Sequence, residues 1–194
     1  MVELADHDKF TPALPGAITQ AEKGMTKGTL TDESVSPQTF TSALALAANG
    51  VSIVTTGGEH GKAGLTVSSM CSVCAEPALI LACVHQQNEF CSVANHNGVF
   101  AINILSTDQK DLSMVFAGLG ENPEADRFLS GSWNAAITGS PLLQRALVSL
   151  DCVIENVHDH GTHSIFIGRV VGVQHNEAEP LVYAMRKFVK TSEL

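Results

Sequence analysis

The segment GLTVSSMCSVCAEP, residues 64–77, decides how the rest of the chain is interpreted. It is rich in β-branched and small residues, which predicts an extended strand. Four hydroxyls fall within seven positions, at Thr66, Ser68, Ser69 and Ser72. Because a buried hydroxyl needs a hydrogen-bond partner, these side chains suit a surface that receives a flat, hydrogen-bonding ligand close to the backbone. The alternative is an ordinary strand pair whose polar face lies in water.

Strands on both sides of this segment predict an antiparallel sheet. A strand at 51–56, a Gly-rich turn at 57–62 and a strand at 63–73 form a strong hairpin pattern. An apolar run at 78–84 predicts a strand buried on both faces. Further strands are expected at 99–105, 146–157, 164–174 and 181–189. Few helices and no regular βαβ alternation predict a mainly β fold, an antiparallel sheet closed towards a barrel, and exclude a Rossmann domain.

Two or three helices flank the predicted sheet. One is expected over 36–49, between a Ser-Pro start and an Asn-Gly end. A second is expected within the polar segment 86–98, which also closes at Asn-Gly. Ser106 and Gln109 form a capping box that starts a third helix, which ends near Gly118.

Length and charge limit the class of protein. Residues 37–194 predict one domain, and residues 1–36 an extension that is flexible or wraps a partner subunit. A net charge of −9 argues against nucleic acid as a partner. No apolar run reaches the roughly 20 residues that span a membrane, and the acidic first ten residues do not resemble a secretory signal. Five cysteines without such a signal predict reduced thiols and a cytoplasmic location.

Two clusters of potential metal ligands occur in the chain. Cys71 and Cys74 form a Cys-x-x-Cys, but alternation along a strand predicts opposite faces, which favours apolar packing over zinc or redox chemistry. His158, His160 and His163 lie between the two long predicted strands, where a turn with exposed imidazoles is favoured over a metal site. We therefore expect no metal. His163 starts a strand that runs back under the ligand face.

Basic residues are scarce, 11 against 20 acids, so their positions are informative. Arg186, Lys187 and Lys190 lie on the last predicted strand, and Lys62 lies in the hairpin turn. A solvated edge strand explains them, although an anionic ligand would also need them. The chain shows no Ser-His-Asp order, nucleophile elbow, phosphate loop or paired-carboxylate motif. An enzyme without such groups lets a cofactor supply the chemistry.

Between about residues 40 and 188 the chain resembles the short-chain NAD(P)H:flavin oxidoreductases of two-component aromatic monooxygenases, such as the 4-hydroxyphenylacetate and chlorophenol monooxygenase reductases. The residues that carry the resemblance, in chain order, are GVSIVTT at 50–56, GLTVSSMCSV at 64–73, Glu76-Pro77, NGVFAINIL at 97–105, FAG at 116–118, Arg127-Phe128, Trp133, Gly139, Pro141-Leu142, LDC at 150–152, GTHSIFIGRV at 161–170 and PLVY at 180–183. Two departures are His85-Gln-Gln-Asn88, where relatives often have Asn-x-x-Ser, and Pro77-Ala78, where they have Pro-Pro.

The resemblance implies a split barrel that dimerises, with flavin in a groove near the subunit interface. His163 would contact the nicotinamide and is the implied catalytic residue. Residues 84–88 would border the phosphate end of the flavin. The positions expected to bind the cofactor are Thr56, Gly64, Leu65, Thr66, Val67, Ser68, Ser69, Cys71, Ser72, Val73, His85, Asn88, Asn103, Tyr183 and Arg186.

The resulting hypothesis is a homodimeric flavin reductase that transfers hydride from NADH or NADPH to FMN or FAD. Reduced flavin would then pass to a separate aromatic monooxygenase component. The contribution of the protein would be to orient two planar rings, which needs no acid or base of fixed identity. Two alternatives remain at this point. They are a flavin-binding protein that does not reduce flavin, and an oxidoreductase of the pyridoxamine-phosphate oxidase kind on the same fold.

Overall fold

The structure is a computed structural model that describes residues 35–120 and 126–192. The chain divides into two compact units, Met1–Pro37 and Gln38–Leu194, and all the described strands belong to the second. The predicted extension, residues 1–36, falls almost entirely outside the described residues and stays a prediction. Within the described residues the elements are α1 (Pro37–Leu44), β1 (Asn49–Gly50), β2 (Ser52–Gly58), β3 (Gly61–Val67), β4 (Met70–Cys74), β5 (Leu79–His85), α2 (Glu89–Asn97), β6 (Val99–Ile104), a 3₁₀ turn (Thr107–Gln109), α3 (Lys110–Phe116), a second 3₁₀ turn (Arg127–Leu129), β7 (Trp133–Ala135), β8 (Pro141–Leu143), β9 (Val148–His160), β10 (His163–His175), β11 (Val182–Ala184) and β12 (Lys187–Val189).

Seven strands form one antiparallel sheet in the order β3-β2-β6-β9-β10-β5-β4. The predicted hairpin is confirmed, because β2 pairs with β3 from Ser52 opposite Val67 to Gly58 opposite Gly61. The predicted long strands are β9 and β10, which pair along most of their length. A mainly β, antiparallel fold with few helices is therefore confirmed.

The single strand expected over 63–73 is wrong, because this segment forms two strands. β3 ends at Val67 and β4 begins at Met70, and these strands lie at opposite edges of the seven-stranded sheet. Only Ser68 and Ser69 connect them, so the sheet must curl until its two edges approach each other. No ladder joins β3 to β4 in the described part of the chain, and closure into a split barrel stays a prediction.

Two hydrophobic clusters support this sheet. In the first, Phe166 packs edge-on against Phe90 and Phe100, with ring centroids 5.5 and 6.4 Å away. In the second, Phe116, Phe128 and Trp133 form an aromatic triad with centroids 5.2–5.3 Å apart. One aromatic residue of each cluster, Phe90 and Phe128, lines the same cleft.

The prediction that β5 is buried on both faces is wrong. Ile80, Ala82 and Val84 are buried, whereas the alternate residues, Leu79 and Leu81 among them, are only partly buried. A continuous apolar run therefore marks one core face and a second, half-covered outer face.

Helix termini follow the predicted capping signals more closely than helix lengths do. As predicted, Gly98 ends α2 with φ of 70°, and the backbone N–H of Ser106 donates to Gln109 Oε1 at 3.1 Å. The N-cap of α2 is Asn88, which was not predicted as a cap. The helix expected over 36–49 ends at Leu44 and buries none of its residues. No described helix is long and apolar enough to cross a membrane.

The last predicted strand, 181–189, is a short hairpin. β11 and β12 pair across Met185 and Arg186, whose φ angles are 51° and 59°. The left-handed turn carries two non-glycine residues, which is why a sequence free of Gly, Asn or Asp gave no turn signal here.

Candidate active site

Two clefts flank β3. The first, here the helix cleft, has a volume of about 430 Å³. Its lining residues are Lys62, Ala63, Gly64, Gln87, Asn88, Glu89, Phe90, Asp126, Arg127 and Phe128. The second, here the aromatic cleft, has a volume of about 610 Å³. Its lining residues are Val51, Thr66, Val67, Ser68, Lys110, Ser113, Met114, Ala117, Leu119, Tyr183, Arg186, Lys187 and Phe188.

The helix cleft combines a helix N-terminus with two cations and two carboxylates, those of Glu89 and Asp126. Asn88 Oδ1 accepts a hydrogen bond from Phe90 N at 3.0 Å, so the predicted cofactor residue Asn88 also serves as the N-cap of α2. Cys91 N donates to Asn88 O at 3.0 Å, so the backbone N–H of Glu89 is the one left in the first turn to attract an anion. Lys62 is exposed at the rim, and Arg127 Nη1 donates to Gly64 O at 3.3 Å and to Phe116 O at 3.2 Å. The cleft therefore suits an anionic group of modest size.

The aromatic cleft contains a pair of aromatic rings and three cations. The rings of Tyr183 and Phe188 meet edge to face with centroids 5.2 Å apart. Lys110 Nζ lies 5.4 Å from the centroid of Phe188, and Arg186 and Lys187 line the same cleft. In a protein of net charge −9, three cations beside two rings favour a planar, negatively charged ligand.

The hydroxyls of the central segment have different surroundings. Thr66 Oγ1 donates to Ser113 O at 2.7 Å, and Ser69 Oγ donates to Cys83 O at 2.8 Å. Ser68 is exposed in the aromatic cleft, and Ser72 is exposed on β4 outside both clefts. Two of these hydroxyls, those of Thr66 and Ser69, therefore bond to other elements of the fold. Ser68 lies in a cleft, and its hydroxyl has no hydrogen-bond partner among the described residues.

Close packing around position 64 requires a glycine there. A Cβ at this position would lie 2.9 Å from Phe116 Cε1 and 3.2 Å from Phe128 Cζ. The neighbouring Leu65 packs against the first hydrophobic cluster, and Val67 is buried with only 7% exposed. Leu65 is only partly buried, so the rest of its side chain stays open to a ligand.

Two predicted cofactor residues belong to the scaffold. Thr56 has no exposed surface, and its hydroxyl donates to Val99 O at 2.7 Å. Asn103 is equally buried, and its amide bonds Ile53 O, Leu143 N and Ser149 Oγ. Because their polar atoms are paired inside the protein, we withdraw both positions from the candidate site.

The histidines lie on strands, and the turn expected to hold them is only Gly161 and Thr162. His163 lies directly opposite His85 on β5, with ring centroids 5.2 Å apart and the rings edge to face. Thr162 Oγ1 and His163 Nδ1 are 2.9 Å apart. His158 and His160 lie on β9. No group of three or more metal-ligating side chains is found among the described residues.

The end of β5 brings the separate parts of the candidate site together. Ser69 exchanges hydrogen bonds with Cys83, two residues before His85. Gln86 N donates to Thr162 O at 3.0 Å, and Asn88 follows at the start of α2. The β3–β4 connection, the two imidazoles and the helix cleft therefore adjoin one another.

The prediction for Cys71 and Cys74 is wrong in two respects. Both side chains are exposed, so they are not packed in the core. A β-bulge lies between Ser72 and Cys74, and it places Cys71 opposite Leu81 and Cys74 opposite Leu79. Residues 79 and 81 of β5 share a face, so both cysteines lie on that same face. Val73, within the bulge, is 47% exposed, and with Cys71 and Ser72 it lines neither cleft.

Sequence reasoning missed several residues that line the clefts. Lys110 and Phe188 received no role, and Arg127 was used only as a point of resemblance. The scarcity of basic residues was the available signal for Lys110, but the contact between α3 and β12 that makes it relevant is distant in sequence. Only the fold places Lys110 and Phe188 beside Thr66 and Ser68, and Arg127 beside Gly64.

The chain belongs to the family described as flavin reductase like domain, which matches residues 42–192. It is 39% identical over 150 residues to the FMN reductase (NADH) RutF of Agrobacterium fabrum, covering 77% of this chain and 85% of that protein. The class predicted from sequence, an NAD(P)H-dependent flavin oxidoreductase, is confirmed, and with it flavin and NADH as its reactants.

Two solved structures extend the comparison. The NADH:FAD oxidoreductase SgcE6 of Streptomyces globisporus C-1027, in complex with NAD and FAD fragments, matches with a TM-score of 0.74 and 26% identity, over 82% of this chain and 97% of that one. BorF, the flavin reductase component of a bacterial two-component tryptophan halogenase, matches with a TM-score of 0.73 and 28% identity, over 82% of this chain and all of that one.

Proposed function

We propose that this chain is an NADH-dependent FMN reductase whose site lies where β5 ends. The observation that carries the proposal is the meeting of three features at that point. They are the β3–β4 connection at Ser68 and Ser69, the His85–His163 pair, and the N-terminus of α2 with Lys62. The name of the Agrobacterium relative supports FMN and NADH as the preferred pair.

The helix cleft fits the phosphate end of a flavin. A phosphate at the start of α2 would receive a hydrogen bond from the backbone N–H of Glu89 and would lie near the charge of Lys62. Arg127 holds the strand edge in place, because it bridges Gly64 and Phe116 through their carbonyls. Glu89 and Asp126 on the wall of the cleft oppose a second phosphate there, which favours FMN over FAD.

The ring end of the flavin would lie towards Ser68 and Ser69. Once bound, the flavin supplies the hydride acceptor of the reaction. The residues of the chain orient the two rings, and effective alignment alone lowers the barrier of such a transfer substantially. His163 is exposed on the edge of this region, and we assign it to the nicotinamide. Thr162 and His85 limit the rotation of its ring.

The partner in the proposed reaction sequence is a separate flavin-dependent oxygenase component. The similarity to BorF, a reductase component, supports a two-component system. We further propose an aromatic substrate for the oxygenase component, and a homodimeric reductase in which flavin lies near the subunit interface. The exposed β4, with Val73 outward, supports such an interface.

The test compares FMN with riboflavin, which lacks the phosphate. We expect NADH oxidation to depend on added flavin, and Lys62→Ala to raise the KM for FMN several-fold without changing the KM for riboflavin. Lys190→Ala, an exposed lysine outside both clefts, is the matched control. Equal effects on the two flavins would place the phosphate elsewhere. Tight flavin binding without NADH oxidation would instead indicate a binding protein, and pyridoxamine-phosphate oxidation an oxidase of that kind.

A further inference from the structure

The aromatic cleft is the larger of the two clefts that flank β3, and the proposed reaction assigns no group to it. The phosphate of the flavin is assigned to the helix cleft, its ring to Ser68 and Ser69, and the nicotinamide to His163. The aromatic cleft adjoins the same connection, because Ser68 is one of its lining residues. Its volume of about 610 Å³ lies within the range of roughly 300–1,000 Å³ that is typical of small-molecule sites.

The two clefts differ in charge. The helix cleft contains the carboxylates of Glu89 and Asp126, whereas the described lining of the aromatic cleft includes no Asp or Glu. It contains three cations instead, those of Lys110, Arg186 and Lys187. None of these three forms an ion pair with a carboxylate in the described part of the chain. Uncompensated positive charge in a protein of net charge −9 favours a ligand with more than one negative charge.

One wall of the aromatic cleft is a pair of rings on the hairpin of β11 and β12. Tyr183 lies directly opposite Phe188, and the two rings meet edge to face with centroids 5.2 Å apart. Phe188 packs against the second hydrophobic cluster, while Tyr183 stays 39% exposed. Lys110 Nζ lies 5.4 Å from the centroid of Phe188, so a ring and a cation are available to one ligand. An exposed face of an anchored aromatic ring is a surface on which a nucleotide base stacks.

Ser68 adds a hydroxyl to this cleft. The hydroxyl of the neighbouring Thr66 already donates to Ser113 O at 2.7 Å. The hydroxyl of Ser68 has no hydrogen-bond partner among the described residues, and its side chain is exposed. A free hydroxyl in a cleft that also holds rings and cations suits the hydroxyls of a ribose.

We propose that the aromatic cleft binds an adenosine diphosphate group. The adenine stacks on Tyr183, the two phosphates lie against the three cations, and Ser68 bonds a ribose. Two kinds of molecule carry this group, NADH and a free adenine nucleotide. NADH as the source rests on the proposed function, and it places the two halves of one dinucleotide at the aromatic cleft and at His163.

The register of the sheet brings His163 within reach of the aromatic cleft. His163 lies opposite His85, and Ser69 lies opposite Cys83, two residues earlier on β5. Two strand spacings of about 4.8 Å and two residues of about 3.4 Å each place the Cα atoms of His163 and Ser69 roughly 12 Å apart. Ser68, the next residue, lines the cleft. A dinucleotide in an extended conformation bridges such a distance, so one NADH can contact both places.

The test is isothermal titration calorimetry of the flavin-free full chain with ADP and with adenosine. ADP should bind with one molecule per chain, and adenosine more weakly. The double variant Lys110→Gln/Lys187→Gln should lower the affinity for ADP roughly ten-fold or more and leave that for adenosine nearly unchanged, because only charges are removed. Tyr183→Leu should weaken the binding of both. Lys190→Gln, an exposed lysine outside both clefts, is the matched control and should bind ADP as wild type does.

Steady-state kinetics distinguishes the two sources of the group. If NADH carries it, ADP should compete with NADH, and the double variant should raise the KM for NADH. The KM for reduced nicotinamide mononucleotide, which lacks the adenylate, should then stay unchanged. If ADP binds without competing with NADH, the occupant is a free adenine nucleotide. Both results support the site.

Three results would overturn the proposal. A wild-type chain that binds no ADP at millimolar concentration has no such site. Equal affinities for ADP in wild type and the double variant would place the nucleotide elsewhere. A double variant that binds ADP weakly but also raises the KM for riboflavin to the same extent would assign the cleft to the flavin ring. Because ADP binding is measured without NADH or flavin, a chain that binds ADP and does not oxidise NADH would contradict only the proposed function.

Discussion

His163 is the residue whose role can be tested most directly. Its exposed ring lies against His85 at the end of β5, and no internal hydrogen bond requires it for folding except that to Thr162. We expect His163→Ala to raise the KM for NADH or to slow hydride transfer, which corresponds to a loss of about 1–2 kcal/mol of transition-state stabilisation. The affinity for flavin should change little. Stopped-flow reduction of the FMN-loaded variant over a range of NADH concentrations measures this. His158→Ala, an exposed histidine on β9, should behave as wild type.

Thr162 is expected to act through His163. The hydroxyl lies 2.9 Å from Nδ1, and a hydrogen bond there fixes the orientation of the ring. Thr162→Val removes this hydrogen bond, which contributes about 1 kcal/mol, so the KM for NADH should rise roughly five-fold. Thr162→Ser should restore the wild-type value. A merely structural threonine would instead lower the melting temperature in the valine variant and leave the KM for NADH unchanged.

Gly64 illustrates a residue that the resemblance assigned to the cofactor and the structure assigns to packing. Gly64→Ala places a methyl group 2.9 Å from Phe116 and 3.1 Å from the carbonyl of Val54, and the backbone atom cannot move aside easily. We expect a loss of about 1–3 kcal/mol of unfolding free energy, measured by urea denaturation. Gly50→Ala, where a Cβ meets nothing within 4 Å, is the matched control.

At the scale of elements, two variants of Asn88 at the start of α2 distinguish helix capping from ligand binding. Asn88→Ala removes the cap on Phe90 N and should destabilise the protein by about 0.5–2 kcal/mol. Asn88→Asp keeps an acceptor at the cap but adds a negative charge to the helix cleft. It should leave the melting temperature near the wild-type value while the KM for FMN rises and that for riboflavin does not. If Asn88→Asp binds FMN normally, the phosphate does not lie at α2.

Local patterns predicted individual elements well. The hairpin of β2 and β3, the Asn97-Gly98 end of α2 and the capping box at Ser106 all depend on residues close in sequence, and all three are confirmed. The break at Ser68 and Ser69 was missed because neither residue disfavours a strand. The bulge after Ser72 was missed for the same reason, and that one extra residue inverted the argument about Cys71 and Cys74.

At the scale of the whole molecule, the candidate site combines residues from β3, β5, α2, α3 and the β11–β12 hairpin. Composition predicted that scarce cations would serve an anion, but not which cations meet. Lys110 and Arg186 line one cleft although 75 residues separate them, and only the folded sheet creates that proximity. Resemblance supplied a set of residues without this division into two clefts, and so it also included the buried Thr56 and Asn103.

The stability of the whole molecule should fall at alkaline pH because of Cys152. Burial raises its pKa from 9.0 to about 12, so the unfolded thiol ionises at a lower pH than the folded one. The unfolding free energy is therefore unaffected below pH 9.0 and decreases as the pH rises towards about 12. Urea denaturation at a series of pH values measures the slope. Cys152→Ala should show a smaller decrease than wild type, and an equal decrease in both would assign the effect to other groups.

The two-residue connection between β3 and β4 also affects how the sheet opens. An edge strand normally frays alone, so its amides exchange with solvent faster than those of the interior strands. Here the two edges are covalent neighbours through Ser68 and Ser69, and displacement of one pulls on the other. The margins of the sheet should therefore loosen together as one cooperative unit, with a common free energy of opening in native-state hydrogen exchange.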